Sequence, residues 1–307
     1  MIKIYKNSIQ QKKLRQIKNY EVHSWISVVS PIENEANDIG RRFNIFKETM
    51  QDCLDGNELP RIKIENKNLI VILRVTVKKD NIYSTSPLTI ILNDKNITTI
   101  ALEETDIIND LKRQKIEVYT TQRSNFLINI CLSIINYYQK NINSITKDVQ
   151  AKKKNIQKIS KKDVFHLIEI EEILNNFISS LVPNINVIKR ILSHNYIDLY
   201  QKDKNLISDL LVDGEQVLDL CKTNLRTINN IREGYSTVLS MRLNQIIQIL
   251  TYLTVFLTIP MIIASAYGMN IRLPFSGSEN IFWILLLVNF LIMGIVLVGF
   301  IIFKKRL

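Results

Sequence analysis

The stretch SAYGMNIRLPF, Ser265 to Phe275, links two apolar runs. From Leu243 to Ile271 there is no Asp, Glu, Lys or Arg, and from Ile281 to Phe303 there is again none. Each run holds the roughly 20 apolar residues that an α-helix needs to cross a hydrocarbon core about 30 Å thick. Buried helices of soluble proteins rarely run so far without a charge on some face. Two transmembrane helices are therefore predicted, about 246–267 and 281–303, with the quoted stretch opening a short loop, 268–280, between them.

Charge gives the direction. The opening MIKIYKNSIQQKKLRQIK lacks the apolar core of a secretory signal, so the residues before the first span are expected to stay where they are made. Lys304, Lys305 and Arg306 follow the second span as a basic tail, 304–307, whereas Asn270 to Asn280 carries only Arg272 and Glu279. The positive-inside rule then places both termini in the cytoplasm of a multi-pass cell-membrane protein. The formal net charge is +11. It is spread along the chain, with dense clusters before the tail only at Lys152–Lys154 and Lys161–Lys162. That suits anionic lipid headgroups and argues against nucleic acid as a partner. Cys53, Cys131 and Cys221 are far apart and fit reduced cytosolic thiols. His23, His166 and His194 give no zinc-type spacing. No GxxxxGK[ST] loop occurs, and no Ser/His/Asp or Cys/His set suggests an enzyme. No organic cofactor is expected.

Periodicity divides the chain before the spans. EVHSWISVV alternates like a strand. SPIENEANDIGRRFNI then reads as a helix with Ser30 as N-cap and Pro31 in its first turn. RIKIENKNLIVILRVTV predicts two strands around a turn at Asn66–Asn68, and LTIILNDKNITTIAL repeats this around Asn93–Asn96. These features predict an α+β domain over 1–120. A helical hairpin region, 121–204, follows, with one helix ending at Pro183. A single long stalk helix, 205–267, becomes the first span. Gly214 and Gly234 are the weak points in its continuity.

Two helices cannot enclose an aqueous path, so transport of anything polar requires several chains around an axis. At 100° per residue, Asn244, Gln248, Thr251, Thr254, Thr258 and Ser265 fall within an arc of about 120°. Ile246, Ile249, Leu253, Phe256 and Leu257 lie opposite, and the second span has Asn289 as its one amide or charged side chain. The stripe predicts that the first span lines a pore and the second faces lipid. Its residues equally suit helix–helix hydrogen bonding. The stripe offers neutral oxygens and no carboxylates, which can pass a cation without trapping it. Mg²⁺ sheds water reluctantly, so a wide mouth of such oxygens could hold it hydrated.

Tyr267-Gly268-Met269-Asn270 at the end of the first of two C-terminal spans, then a short loop, a second span and KKR, resembles the CorA family of divalent-cation channels. WISVVSPIENE at Trp25–Glu35 is similar to that family's WI…P…E pattern. CLDGNELPRI at Cys53–Ile62 resembles its LD…E.PRI segment, and LPF at Leu273–Phe275 the loop of many Gram-positive members. The resemblance covers nearly the whole chain. It implies a funnel-shaped homopentamer with a large cytoplasmic domain, passing Mg²⁺ down the membrane potential, with Co²⁺ and Ni²⁺ left open as further ions. Asn270 would turn its amide oxygen to a hydrated Mg²⁺ at the outer mouth, Gly268 would allow the tight helix end, and Tyr267 would brace it. The narrow part of the pore would hold Leu250, Thr258 and Met261, with hydroxyl and thioether in the reverse order from a known member. Cytoplasmic Mg²⁺ would close the pore through carboxylates at subunit contacts: Asp209, Asp213 one turn later, and Asp80 as the partner acid. Glu233 would attract cations near the inner mouth. Two further departures stand out. Pro274 is followed by Phe275 where many relatives have an acid, and the hairpin segment TKDVQAKKKNIQKISKK is basic where some relatives are acidic. The alternatives are a proton-coupled zinc transporter of the same superfamily and a membrane-anchored sensor or scaffold.

Overall fold

The computed structural model describes residues 1–11, 13–79, 82–194, 196–270 and 280–306. It comprises two compact units, Met1–Arg232 and Glu233–Leu307.

In the first unit seven strands form one sheet: β1 (Ile2–Lys6), β2 (Arg15–Ile17), β3 (Trp25–Val29), β4 (Arg61–Glu65), β5 (Asn68–Lys79), β6 (Ile82–Leu92) and β7 (Ile97–Ala101). Their order is β2-β1-β3-β7-β6-β5-β4. All neighbours are antiparallel except β3 and β7, which run parallel. Alternate residues face opposite sides. Ile26, Val28, Ile70, Ile72, Ile91 and Ile100 enclose Ala36 and Ile39 of α1 (Glu33–Phe43), Met50 of α2 (Lys47–Asp52) and Cys53 just after it. The intervening residues, Trp25, Val71, Leu73, Leu88 and Ile90, are buried on the other face. There α4 (Arg123–Lys154) and α5 (Lys161–Ser193) cover β5, and Phe126 of α4 lies 5.7 Å from the Trp25 ring. A short α3 (Asp106–Lys112), capped by Thr105, connects sheet to hairpin. The α+β reading holds.

The turns follow side-chain chemistry. Asn66 and Lys67 have φ of 48° and 64°, the left-handed pair of a two-residue hairpin. At the next turn Asn93 Oδ1 accepts the N–H groups of Lys95 (2.9 Å) and Asn96 (2.7 Å). The start of α1 differs from expectation. Ser30 is left-handed, φ 48°, and its N–H continues the β3–β7 ladder to Ala101 O at 2.9 Å. The helix begins only at Glu33, after Ile32. The capping role falls to Glu35, whose carboxylate accepts from Ile32 N–H (3.2 Å) and from the Met1 ammonium (3.1 Å).

Helix α5 runs through Pro183, where the sequence predicts an end. An interior proline costs about 3 kcal/mol. Phe177, Leu181, Ile185, Ile188 and Ile191 are all buried across that point, each contributing about 1.5–3 kcal/mol, so packing outweighs the break. The neighbouring Asn184 is 0% exposed. β4 pairs with β5 only as far as Arg61 opposite Ile72, which leaves an open edge beyond. Asn184 closes it: its Oδ1 accepts Arg74 N–H at 2.9 Å and its Nδ2 donates to Arg74 O at 2.8 Å. Opposite Arg74 on β6 stands Pro87, which has no N–H to give.

Helix α6 (Gln201–Tyr267) is unbroken through Gly214, Gly234 and Pro260. Gly214 lies against both hairpin helices. A Cβ there would meet Ile185 Cγ1 at 3.2 Å and Ile135 Cδ1 at 3.5 Å. Helix α7 spans Ile281–Arg306.

Two outcomes follow from this packing. Asn184→Ala orphans a buried N–H and removes a second bond. A loss of about 2 kcal/mol is expected, read as a fall of roughly 4–8 °C in the unfolding midpoint of the detergent-solubilised chain; an unchanged midpoint would show that the edge needs no clamp. The three buried thiols are pushed up by desolvation, Cys53 to about 11 and Cys131 and Cys221 to about 12. At pH 8 the folded chain should leave an aromatic disulfide reagent unreacted, and unfolding should release all three; rapid native labelling would contradict the burial.

Candidate functional site

Among the described residues two helices are long and apolar enough to cross a membrane: α6 in its C-terminal part, and Phe282–Gly299 of α7. Along α6, Asn244, Gln248, Thr251, Thr254 and Ser265 are exposed and Thr258 is half-buried. Tyr252, Phe256, Ile259 and Ile263 form the half-buried face of the same segment. Leu250 and Met261, expected at the narrow part, are 60% and 65% exposed. Ile246, Ile249, Leu253 and Leu257 are exposed as well. Among the described residues most of the polar side and most of the apolar side stay exposed within one chain.

The threonines make local bonds. Thr251 Oγ1 donates to Ile247 O (2.9 Å), Thr254 Oγ1 to Leu250 O (2.9 Å) and Thr258 Oγ1 to Thr254 O (2.7 Å). This satisfies hydroxyls in an apolar environment. It also fixes their chemistry. Each hydroxyl has one proton and two lone pairs, so donation inward leaves acceptor capacity facing outward. Such a face suits a cation or the hydrogens of its water shell.

The stripe extends further than the apolar run shows. Glu233, Thr237 and Ser240 fall within the same arc at 100° per residue, and all three are exposed. Thr237 Oγ1 donates to Glu233 O at 3.0 Å. Thr237 and Ser240 escape a search confined to uncharged sequence; carrying the same angular count one turn below Arg242 finds them. In α7, Asn289 Nδ2 donates to Leu285 O at 3.1 Å, while its Oδ1 is buried without a partner among the described residues.

Tyr267 closes α6. Gly268 N–H is shared between Ala264 O (3.0 Å) and Ser265 O (3.2 Å), and Met269 N–H reaches Ala266 O at 3.4 Å. Gly268 does not adopt a positive φ. The tightened last turn, with its forked bond, takes the place of a left-handed cap. A Cβ would sit 3.4 Å from Ala264 O, an ordinary contact, so the local backbone does not require glycine here. Gly268, Met269 and Asn270 are all exposed. Arg272, Leu273 to Phe275 and Glu279 lie outside the described residues, as does Asp80.

Asp209 and Asp213 are both exposed, one turn apart on α6. Carboxylate oxygens are suitable ligands for Mg²⁺, and this pair could offer two of them. Among the described residues no group of three or more His, Cys, Asp or Glu is placed to hold a metal ion, so further ligands would have to come from water or from another chain. Lys304, Lys305 and Arg306 form the end of α7.

The family described as CorA-like Mg²⁺ transporter protein matches residues 20–306, and the chain belongs to it. The cobalt/magnesium transport protein CorA of Methanocaldococcus jannaschii is 24% identical over 308 aligned residues, covering 97% of this chain and 95% of that protein. The complete structure of the CorA magnesium transporter from the same organism superposes with a TM-score of 0.86 at 20% identity, covering 98% of this chain and 97% of the other. A more distant fold likeness, TM-score 0.64 at 8% identity, is to the ZntB cytoplasmic domain from Vibrio parahaemolyticus, covering 78% of this chain and 98% of that one.

Proposed function

We propose that this member of the CorA family is a passive pathway for divalent cations, with Mg²⁺ the foremost substrate and Co²⁺ or Ni²⁺ further candidates. The observation that carries the reading is the outward face of neutral oxygens on α6, its hydroxyl protons turned inward. It leads toward the Tyr267-Gly268-Met269-Asn270 terminus. Family membership and the transport proteins it resembles support the same reading. Since one chain leaves both sides of the span exposed, several copies gather so that the stripes face a common axis. A pentamer is the number the resemblance implies.

In this arrangement Asn270 presents its amide oxygen to the hydrated ion at the outer mouth, with Gly268 allowing neighbouring chains to approach. Asn244, Gln248, Thr251, Thr254, Thr258 and Ser265 hand it inward, past Leu250 and Met261 as the apolar constriction, and Glu233 draws it out at the inner end. Both termini are cytoplasmic. The driving force needs no nucleotide: a divalent ion gains about 4.6 kcal/mol per 100 mV, a concentration ratio of more than about a thousand. Gating follows from Asp209 and Asp213 facing acids of a neighbouring chain, Asp80 among them. Like charges separate the subunits until Mg²⁺ bridges them, so rising internal Mg²⁺ closes the path.

Flux into liposomes bearing the purified chain, read by an internal Mg²⁺ dye, tests this. Wild type should take up Mg²⁺ when an inside-negative potential is imposed, and Asn270→Ala should lose at least about tenfold, the equivalent of one strong polar contact of about 1.4 kcal/mol. Asp209→Asn with Asp213→Asn should keep the flux and lose its inhibition by internal Mg²⁺. Absence of potential-driven uptake by folded wild type would overturn the reading, and uptake of Zn²⁺ that instead follows a proton gradient would favour the zinc transporter.

A further inference from the structure

The tip of the helical hairpin is a separate feature. Between Lys152 and Lys162 the chain carries six lysines and no acid. Lys152 is held by Asp163 across the tip. Lys153, Lys154, Lys158, Lys161 and Lys162 are exposed. Asp163 is occupied twice, since it also caps α5 by accepting from Ser160 N–H at 2.9 Å. Beside the lysines stand two uncovered apolar side chains, Phe165 (57% exposed) and Ile168 (44%). They lie three residues apart on one helix face, with Lys161 Nζ 5.9 Å from the Phe165 ring. Exposed lysines bordering exposed aromatic and aliphatic groups are the composition of a surface that lies on anionic lipid.

Position supports this. The hairpin is registered against α6 at three levels inside the first unit. Ile135 approaches Gly214, Thr146 Oγ1 accepts from Asn224 Nδ2 at 2.8 Å, and Glu171 pairs with Arg232 at 3.0 Å. Eleven residues along α4, from 135 to 146, match ten along α6, from 214 to 224, so the two helices advance together. The tip at 152–162 therefore lies toward the Arg232 end of α6. From Arg232 to Leu243, where the charge-free run begins, is eleven residues. Whatever their arrangement, eleven residues reach at most about 40 Å.

We infer that this hairpin tip docks on the anionic headgroups of the bilayer that holds the two spans, with Lys153, Lys154, Lys158, Lys161 and Lys162 meeting phosphate and Phe165 entering the interface. The docking ties the hairpin, and with it the Gly214 contact on α6, to lipid charge. It needs the spans to lie in a membrane but does not depend on which ion they carry.

The test uses the full chain in nanodiscs, with a fluorophore on Lys158→Cys; the buried native thiols leave that site selectively reactive. Discs of phosphatidylcholine alone, or mixed with phosphatidylglycerol, carry a headgroup-attached quencher. Quenching should be strong with phosphatidylglycerol and weak without it. It should fade near 1 M salt, where the screening length is about 3 Å. In Lys153→Glu/Lys154→Glu/Lys161→Glu/Lys162→Glu the ratio between the two lipids should fall to about one, each lysine near such a surface being worth about fivefold in affinity. Equal quenching in both lipids, none in either, or a ratio untouched by charge reversal would overturn the inference. So would release by inorganic phosphate at matched ionic strength, which would make the tip a free-anion site. Quenching of Trp283 in α7 by acyl-chain probes reports insertion of the spans separately, so a failure of docking is not confused with a failure to enter the membrane.

Discussion

One buried amide sets the frame of the first unit. Strand β5 outruns its partner β4, and an unpaired backbone at that point would sit beneath two helices with no water to bond it. Asn184 supplies both a donor and an acceptor to Arg74, acting as a one-residue strand. The same residue therefore fixes the height of α5 on the sheet. Tyr138 of α4 reaches the same Arg74 carbonyl at 3.2 Å, so both hairpin helices are indexed to one peptide group. Arg74 extends the linkage with its side chain, donating to Gly56 O, Glu58 O and Thr85 O. Gly214 of α6 then fits against Ile185 and Ile135, one residue from Asn184 on α5 and one turn from Tyr138 on α4.

A second constraint governs the other unit. In hydrocarbon every backbone polar group must be satisfied by the chain itself. That accounts for α6 staying helical from Leu243 to Tyr267 and for threonines bonded to carbonyls one turn back. Pro260 is tolerated on the same grounds as other prolines in membrane helices, where neighbouring groups and local adjustment take up the freed carbonyl. The rule that shields the backbone also decides which oxygens remain available: hydroxyl lone pairs and amide oxygens, and not charged groups.

The periodic features could be read from sequence alone. Alternation placed β5 and β6, asparagines placed their turns, and the uncharged runs placed the two spans. The family could be read from a tetrapeptide only because the spans around it gave it a position. What could not be read is long-range and polar. Asn184 sits 110 residues from Arg74 and leaves no periodic trace. Ser30 has every local mark of a cap, yet its N–H is drawn into the β3–β7 ladder, and Glu35 is left to cap α1. Pro183 looks like a stop, but the apolar stripe on either side is worth more than the bond it removes. In the candidate site, the stripe within the span was visible, while Thr237 and Ser240 were hidden by the charged residues among which they lie.

The pairing of a weakly polar path with exposed acids has a physical logic. Stripping Mg²⁺ of its water would demand compensating ligands at close, near-octahedral positions, and three threonines bonded to their own helix are not free to provide them. A hydrated ion asks less: acceptors for its outer hydrogens, spaced along a wide face. Such a face binds weakly and releases readily, so the field across the membrane, about 4.6 kcal/mol per 100 mV for a divalent ion, is sufficient to move the ion along it. In the proposed function strong binding would be reserved for carboxylates such as Asp209 and Asp213, which lie in the first unit, well before the charge-free run. There, in the proposed gating, a tightly held ion would change the spacing of chains without blocking the path. On that proposal, separating the weak site from the strong one would let a single ion species be both cargo and signal.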